Sequence, residues 1–196
     1  MARATRNLTA GLVAMVVMGS TRPATAQDLT VTLQVQNRAH VADDLLAQAQ
    51  AEVTRIYARA GVNAVWANPA QVTVIILTRE ASDLVNPIKD AMGFAPGSEV
   101  RRGRVAYILA YRVDDVAQAH GMDRAALLGA AMAHEVGHLL LSINAHSKTG
   151  IMRADWNEED FRRASVKQLF FTAEQGTQIR SRMATAQEEA LLATAR

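Results

Sequence analysis

Residues 127–141 read LLGAAMAHEVGHLLL, and this stretch decides the fold. It is apolar or small throughout except at His134, Glu135 and His138. It is too short and too interrupted to cross a bilayer, which takes about 20 apolar residues. It reads instead as a helix buried at the centre of a domain. Asp123 stands where an N-cap belongs. Burying three ionisable side chains in such a helix is costly unless something compensates them. The plain alternative is a surface helix whose His and Glu face water. The apolar flanks Met132, Val136, Leu139, Leu140 and Leu141 argue against it.

The spacing supplies a compensation. His134 and His138 are four residues apart, so both imidazoles lie on one helix face, one turn apart, where they can grip a single ion. Glu135 projects about 100° further round the helix. It can reach a water on that ion without being a ligand. Metal-assisted hydrolysis needs this division of labour: the ion activates water and polarises a carbonyl, and the carboxylate moves the proton. A chain of this composition holds roughly 0.006 such motifs by chance, so the pattern is informative. With no cysteine in the chain, any metal must be held by His, Asp or Glu. A third protein ligand is expected, with one position left open. His146, eight residues after His138, needs only one chain reversal to return to the ion. Glu158, twenty residues after His138, is the rival, in a Glu158-Glu159-Asp160 run that also suits a solvated helix N-terminus.

The longer stretch HEVGHLLLSINAHSKTGIM, residues 134–152, resembles the active-site segment of the metzincin-type zincin metallopeptidases. His134, Glu135 and His138 match its HExxH, His146 resembles its third histidine, and Gly150-Ile151-Met152 resembles its Met-turn. The resemblance implies that His134, His138 and His146 bind Zn2+ and that Glu135 is the general base. It implies a methionine, Met152, beneath the metal; a plain core role is the alternative for that residue. The chain departs from the pattern where that family has a glycine and its third histidine: Leu141 and Asn144 stand there, and His146 comes two residues later. The thermolysin branch of the zincins carries a downstream glutamate ligand, a place Glu158 could fill.

Outward from this helix, the remaining elements follow from periodicity. Leu29, Val31, Leu33 and Val35 alternate with Thr30, Thr32, Gln34 and Gln36, which predicts a strand with one buried side. A helix capped by Asp43 or Asp44 is expected to run to Ala60 and stop at Gly61. Strands are expected at Val62–Trp66, at Val72–Leu77 in a sheet interior, and at Val105–Tyr111, where Tyr107 and Tyr111 share a face. Residues 79–103, punctuated by Pro87, Gly93, Pro96, Gly97 and Gly103, read as a long, partly ordered connection, either bordering a cleft or a surface excursion. A short helix over Val113–Ala119 follows, with His120 at its C-terminus. Residues 143–157 read as irregular. Thr172 to Gln175 makes a capping box for a last helix over Ala173–Ala193. The order predicts an α+β, zincin-like fold. In it, a small mixed sheet packs on a backing helix and a central HExxH helix, with a C-terminal helical subdomain.

The first residues read as a leader. Arg3 and Arg6 precede an apolar run from Leu8 to Met18, and Ala24-Thr25-Ala26 is a small-x-small cleavage site. That predicts a signal peptide over 1–26 and one domain over 27–196, secreted or periplasmic. The apolar run is too short for a membrane anchor, so no stable insertion is expected after cleavage. Losing Arg3, Arg6 and Arg22 leaves 18 of the 21 basic residues against 19 acidic ones. Arg101, Arg102 and Arg104 form only a local cluster, so no nucleic-acid partner is expected. The expected function is a secreted zinc-dependent hydrolase, a peptidase acting on a peptide or protein substrate. An exported metal-binding module without turnover is the alternative. Oligomeric state is not legible.

Overall fold

The computed structural model describes residues 29–84, 91–96, 103–141 and 145–194. The leader expected over 1–26 lies outside them, as do parts of the 79–103 connection. The elements run β1 (Thr30–Asn37), α1 (Asp43–Arg59), β2 (Asn63–Trp66), β3 (Val72–Leu77), α2 (Arg79–Asp83), β4 (Gly93–Phe94), β5 (Val105–Leu109), α3 (Ala110–Ala119), α4 (Arg124–Leu140), α5 (Glu158–Ser165) and α6 (Ala173–Thr194). The five strands form one mixed sheet in the order β2-β1-β3-β5-β4. Three pairings are parallel, and β4 runs antiparallel to β5 along one edge. The dense apolar run Val72–Leu77 takes the central place, as its composition demands.

One face of the sheet carries the main core. Val31 and Leu33 of β1, Val74 and Ile76 of β3, and Ile108 of β5 are fully buried there. They belong to one cluster with Val53, Ile56 and Tyr57 of α1 and with Leu127, Leu128, Met132 and Val136 of α4. Each such side chain contributes about 1.5–3 kcal/mol of burial. The two helices approach closely because α4 has no side chain at Gly129. A Cβ there would stand 2.6 Å from Cβ of Glu52 and 2.7 Å from the Ala49 carbonyl oxygen. The Tyr57 hydroxyl adds a buried hydrogen bond to the Ala133 carbonyl, 3.1 Å. On the other face Gln34 donates to Thr73 and Thr32 bonds Gln71, so that side of β1 is polar. A smaller cluster of Ile75, Leu77 and Leu109 is covered in part by Ala81 and Tyr111.

Local expectations hold with a few shifts. Asp123 caps α4 by accepting from the Ala126 amide, 2.7 Å, and Thr172 and Gln175 form the reciprocal box at the start of α6. At α1 the N-cap is Ala42, with no side-chain bond, and Asp43 and Asp44 sit in the first turn. There they favour the helix through its dipole rather than as caps. The strand expected to reach Tyr111 stops at Leu109, and α3 starts at once. Tyr111 is therefore helical and leaves the face of Tyr107. Its ring lies under the Arg79 guanidinium, 3.9 Å from the centroid, and tertiary contact overrides its strand preference. Within 79–103 the chain forms α2 and the edge strand β4. Among the described residues, no helix is long and apolar enough to cross a membrane.

Candidate metal centre

Helix α4 brings His134 and His138 to one face, with their Nε2 atoms 3.1 Å apart. His146 arrives from the segment beyond α4. One ring nitrogen from each of the three lies within 4.8 Å of the others. Ring centroids are 4.9 Å apart for His134–His138, 4.7 Å for His138–His146 and 5.6 Å for His134–His146. Among the described residues this is the group of His, Asp and Glu side chains able to hold a metal ion. Glu158 is outside it: 87% exposed, it turns its carboxylate to His120 Nδ1 at 3.4 Å. Glu158 opens α5, and its neighbour Asp160 forms a capping box with Asn157.

The donor set fits a metal. His134 Nδ1 lies 2.6 Å from the Ile151 carbonyl oxygen. A carbonyl only accepts, so Nδ1 carries the hydrogen, and in the neutral ring Nε2 presents its lone pair toward His138 and His146. Two nitrogens at about 2.0–2.1 Å from a tetrahedral ion stand about 3.3 Å apart, close to the 3.1 Å separation of the two Nε2 atoms. Burial, with neighbouring imidazoles, holds both helix histidines neutral. It lowers His134 to about 4, against an opposing hydrogen bond to Ile151, and lowers His138 to about 3 with help from His134 and His146. Neutral imidazole is the form a metal requires.

Below the histidines lies Met152, fully buried. Gly137, between the two helix histidines, leaves room for it: a Cβ there would stand 2.6 Å from the Met152 sulfur. The turn that carries Met152 is fixed by backbone bonds from Ile151 to Phe170, from Arg153 to Gly150 and from Ser147 to Met152. Gly150 takes a positive φ of 79°, which side chains other than glycine rarely adopt. The Ile151 carbonyl also accepts from the Trp156 indole, 3.0 Å.

Glu135 is 7% exposed and raised to about 8 by burial. Its methylene and carboxyl carbons stand against Gly93 of β4, where a Cβ would be 2.7 and 3.1 Å away. A cleft of about 490 Å³ opens over these groups. Its walls are β4 and its flanks, Val116 of α3, Ala131 of α4, Trp156 and Phe161, with Asp155 among the lining residues. No family model matches this chain, and no curated protein does.

The sequence named the three histidines and Glu135, and the fold brings them together. It did not name Trp156, Phe161 or Gly93 as cleft residues. A lone aromatic in an irregular stretch gives no such signal. The apolar triplet Met92-Gly93-Phe94 within a polar connection was the available hint of an edge strand. Arg153 donates to the carbonyls of Asp155 and Lys148 and pairs with Asp160 at 3.6 Å, tying the turn to α5.

Proposed function

We propose that this protein is a secreted, zincin-like zinc hydrolase that cleaves peptide bonds. The observation that carries the reading is the convergence of three imidazoles beside the buried Glu135 carboxylate, all lining one cleft. Three nitrogen donors with a free position and no thiolate suit zinc in its catalytic rather than its structural mode. Bound there, zinc would supply Lewis acidity, lowering the pKa of water and polarising the scissile carbonyl.

The remaining chemistry belongs to the chain. Glu135 takes the proton from the attacking water and passes it to the leaving amine. Its raised pKa, near neutrality, suits both halves of that exchange. The Ile151 carbonyl holds the His134 ring in place through Nδ1. Peptide is the favoured substrate because β4 is an edge strand that lines the cleft. An extended backbone can pair along such an edge, and β4 lies against Glu135. The five-stranded mixed sheet with α1 and α4 packed in one core supports the zincin-like reading.

The test is Glu135→Gln in the zinc-loaded protein, assayed on a broad peptide library. The variant keeps the metal and loses turnover by about 10²–10⁴-fold. Wild-type rates in the variant would refute the role of Glu135. Zinc binding with no cleavage by the native protein would favour a metal-binding module without turnover.

A further inference from the structure

His134 and His138 are held by α4, but His146 lies outside any helix or strand. Something else must fix it. Gln175, near the start of α6, is 6% exposed, and both ends of its side-chain amide are hydrogen-bonded. Its Nε2 donates to the Ala145 carbonyl at 3.1 Å and to Ser147 Oγ at 3.0 Å, so one side chain grips the residues on both sides of His146. Its Oε1 accepts from the Thr172 amide in the capping box, 3.0 Å. Ser147 is anchored in turn to Met152 and Thr149.

Seven residues further along α6, Arg182 reaches the end of the metal helix. Its guanidinium donates to the carbonyls of Leu140 and Leu141, which α4 leaves without intrahelical partners. Seven residues make two turns, about 10 Å of helix, so both side chains project from one side of α6. The apolar residues Ile179 and Met183 seat that side in the core. Thus α6 grips the chain where it leaves α4 and again where it delivers His146.

We infer that α6 is a brace that sets the position of the third metal ligand, with Gln175 and Arg182 as positioning residues. This rests on the metal reading of the three histidines. The brace also explains how a third histidine two residues later than the metzincin spacing can still meet the other two: its place is fixed from outside the loop.

Gln175→Glu isolates the effect. A glutamate keeps the acceptor that the capping box needs but loses both donors to the His146 segment. Zinc affinity is measured by competition with a chromophoric chelator, and the melting temperature of the metal-free protein is measured alongside. The expected result is a 10- to 100-fold weaker affinity for Gln175→Glu, and similarly for Arg182→Met, the range seen when supports of metal ligands are removed. Thr172→Ala, which breaks the other half of the capping box, should lower the melting temperature and leave affinity within about 3-fold. A merely structural Gln175 would give the reverse for Gln175→Glu: a lower melting temperature and unchanged affinity. Equal affinity in native protein and both brace variants overturns the inference alone. No zinc binding by the native protein overturns the metal reading and the inference with it.

Discussion

Replacing Gly93 with alanine tests the link between the edge strand and Glu135, the proposed proton-transfer group. The added Cβ would lie 2.6 Å from the Tyr107 carbonyl oxygen on one side and 2.7 Å from Glu135 Cγ on the other. Both are about 0.8 Å short of ordinary contact, and one obstacle is backbone, so β4 must move away from β5 or Glu135 must leave its seat. Forcing a methyl group into such a space costs about 1–3 kcal/mol. Reduced freedom of the unfolded chain returns about 0.4–1 kcal/mol. The net loss is about 1–2 kcal/mol, a melting temperature about 2–8 °C lower at this size. The effect on turnover should be larger than the effect on stability, because a displacement near 1 Å at the reacting groups costs about 10²-fold. Thermal unfolding and kcat/KM on a cleaved peptide measure the two, and zinc content serves as the control. Zinc content should stay at the native level, since the atoms nearest the added Cβ belong to Tyr107 and Glu135 rather than to a histidine of the cluster. Full activity with an unchanged melting temperature would refute the packing of Glu135 against β4.

Two further outcomes follow from the same geometry. Asp123→Ala removes the side-chain cap of α4 and should cost about 1 kcal/mol in chemical denaturation, with zinc affinity unchanged. The stability of the metal-free protein should peak near pH 6.5 as far as His134, His138 and Glu135 determine it. Below that value the unfolded chain protonates histidines that the fold holds neutral. His134, lowered to about 4, then loses about 3 kcal/mol of stability between pH 6.5 and 4, and His138 acts in the same direction. Glu135 has the opposite sign: raised to about 8, it supports the fold fully below pH 4.5 and loses that contribution as the pH rises toward 8. Urea titrations of metal-free protein across pH 4–9 measure both limbs. A flat profile would contradict the burial of the site.

The site was legible where its chemistry is local in sequence. His134, Glu135 and His138 announce themselves because one helix carries them and an apolar flank surrounds them. The capping residues Asp123 and Thr172 were legible for the same reason, since each acts within one turn. His146 against Glu158 was open, because the choice depends on contacts far along the chain, where α6 bonds the carbonyls of Leu141 and Ala145. Gln175 was visible only as a capping residue; its second partner set lies some thirty positions away. The strand at Val105 ends two residues short of its apparent run: Leu109, Ala110 and Tyr111 contain no turn signal, yet α3 begins at Ala110 and Tyr111 packs under Arg79 of α2. The short strand β4 was hidden in a segment rich in glycine and proline, and it exists because β5 offers it an edge.

X-ray absorption at the zinc edge, on protein loaded with one equivalent of zinc and dialysed, tests the central claim most directly. The account predicts one retained zinc per chain, with three imidazole nitrogens at about 2.0–2.1 Å and one oxygen. It also predicts that His146→Ala lowers the imidazole count to two while Glu158→Ala leaves it at three. Loss of the metal on dialysis, or a spectrum unchanged by His146→Ala, would contradict it.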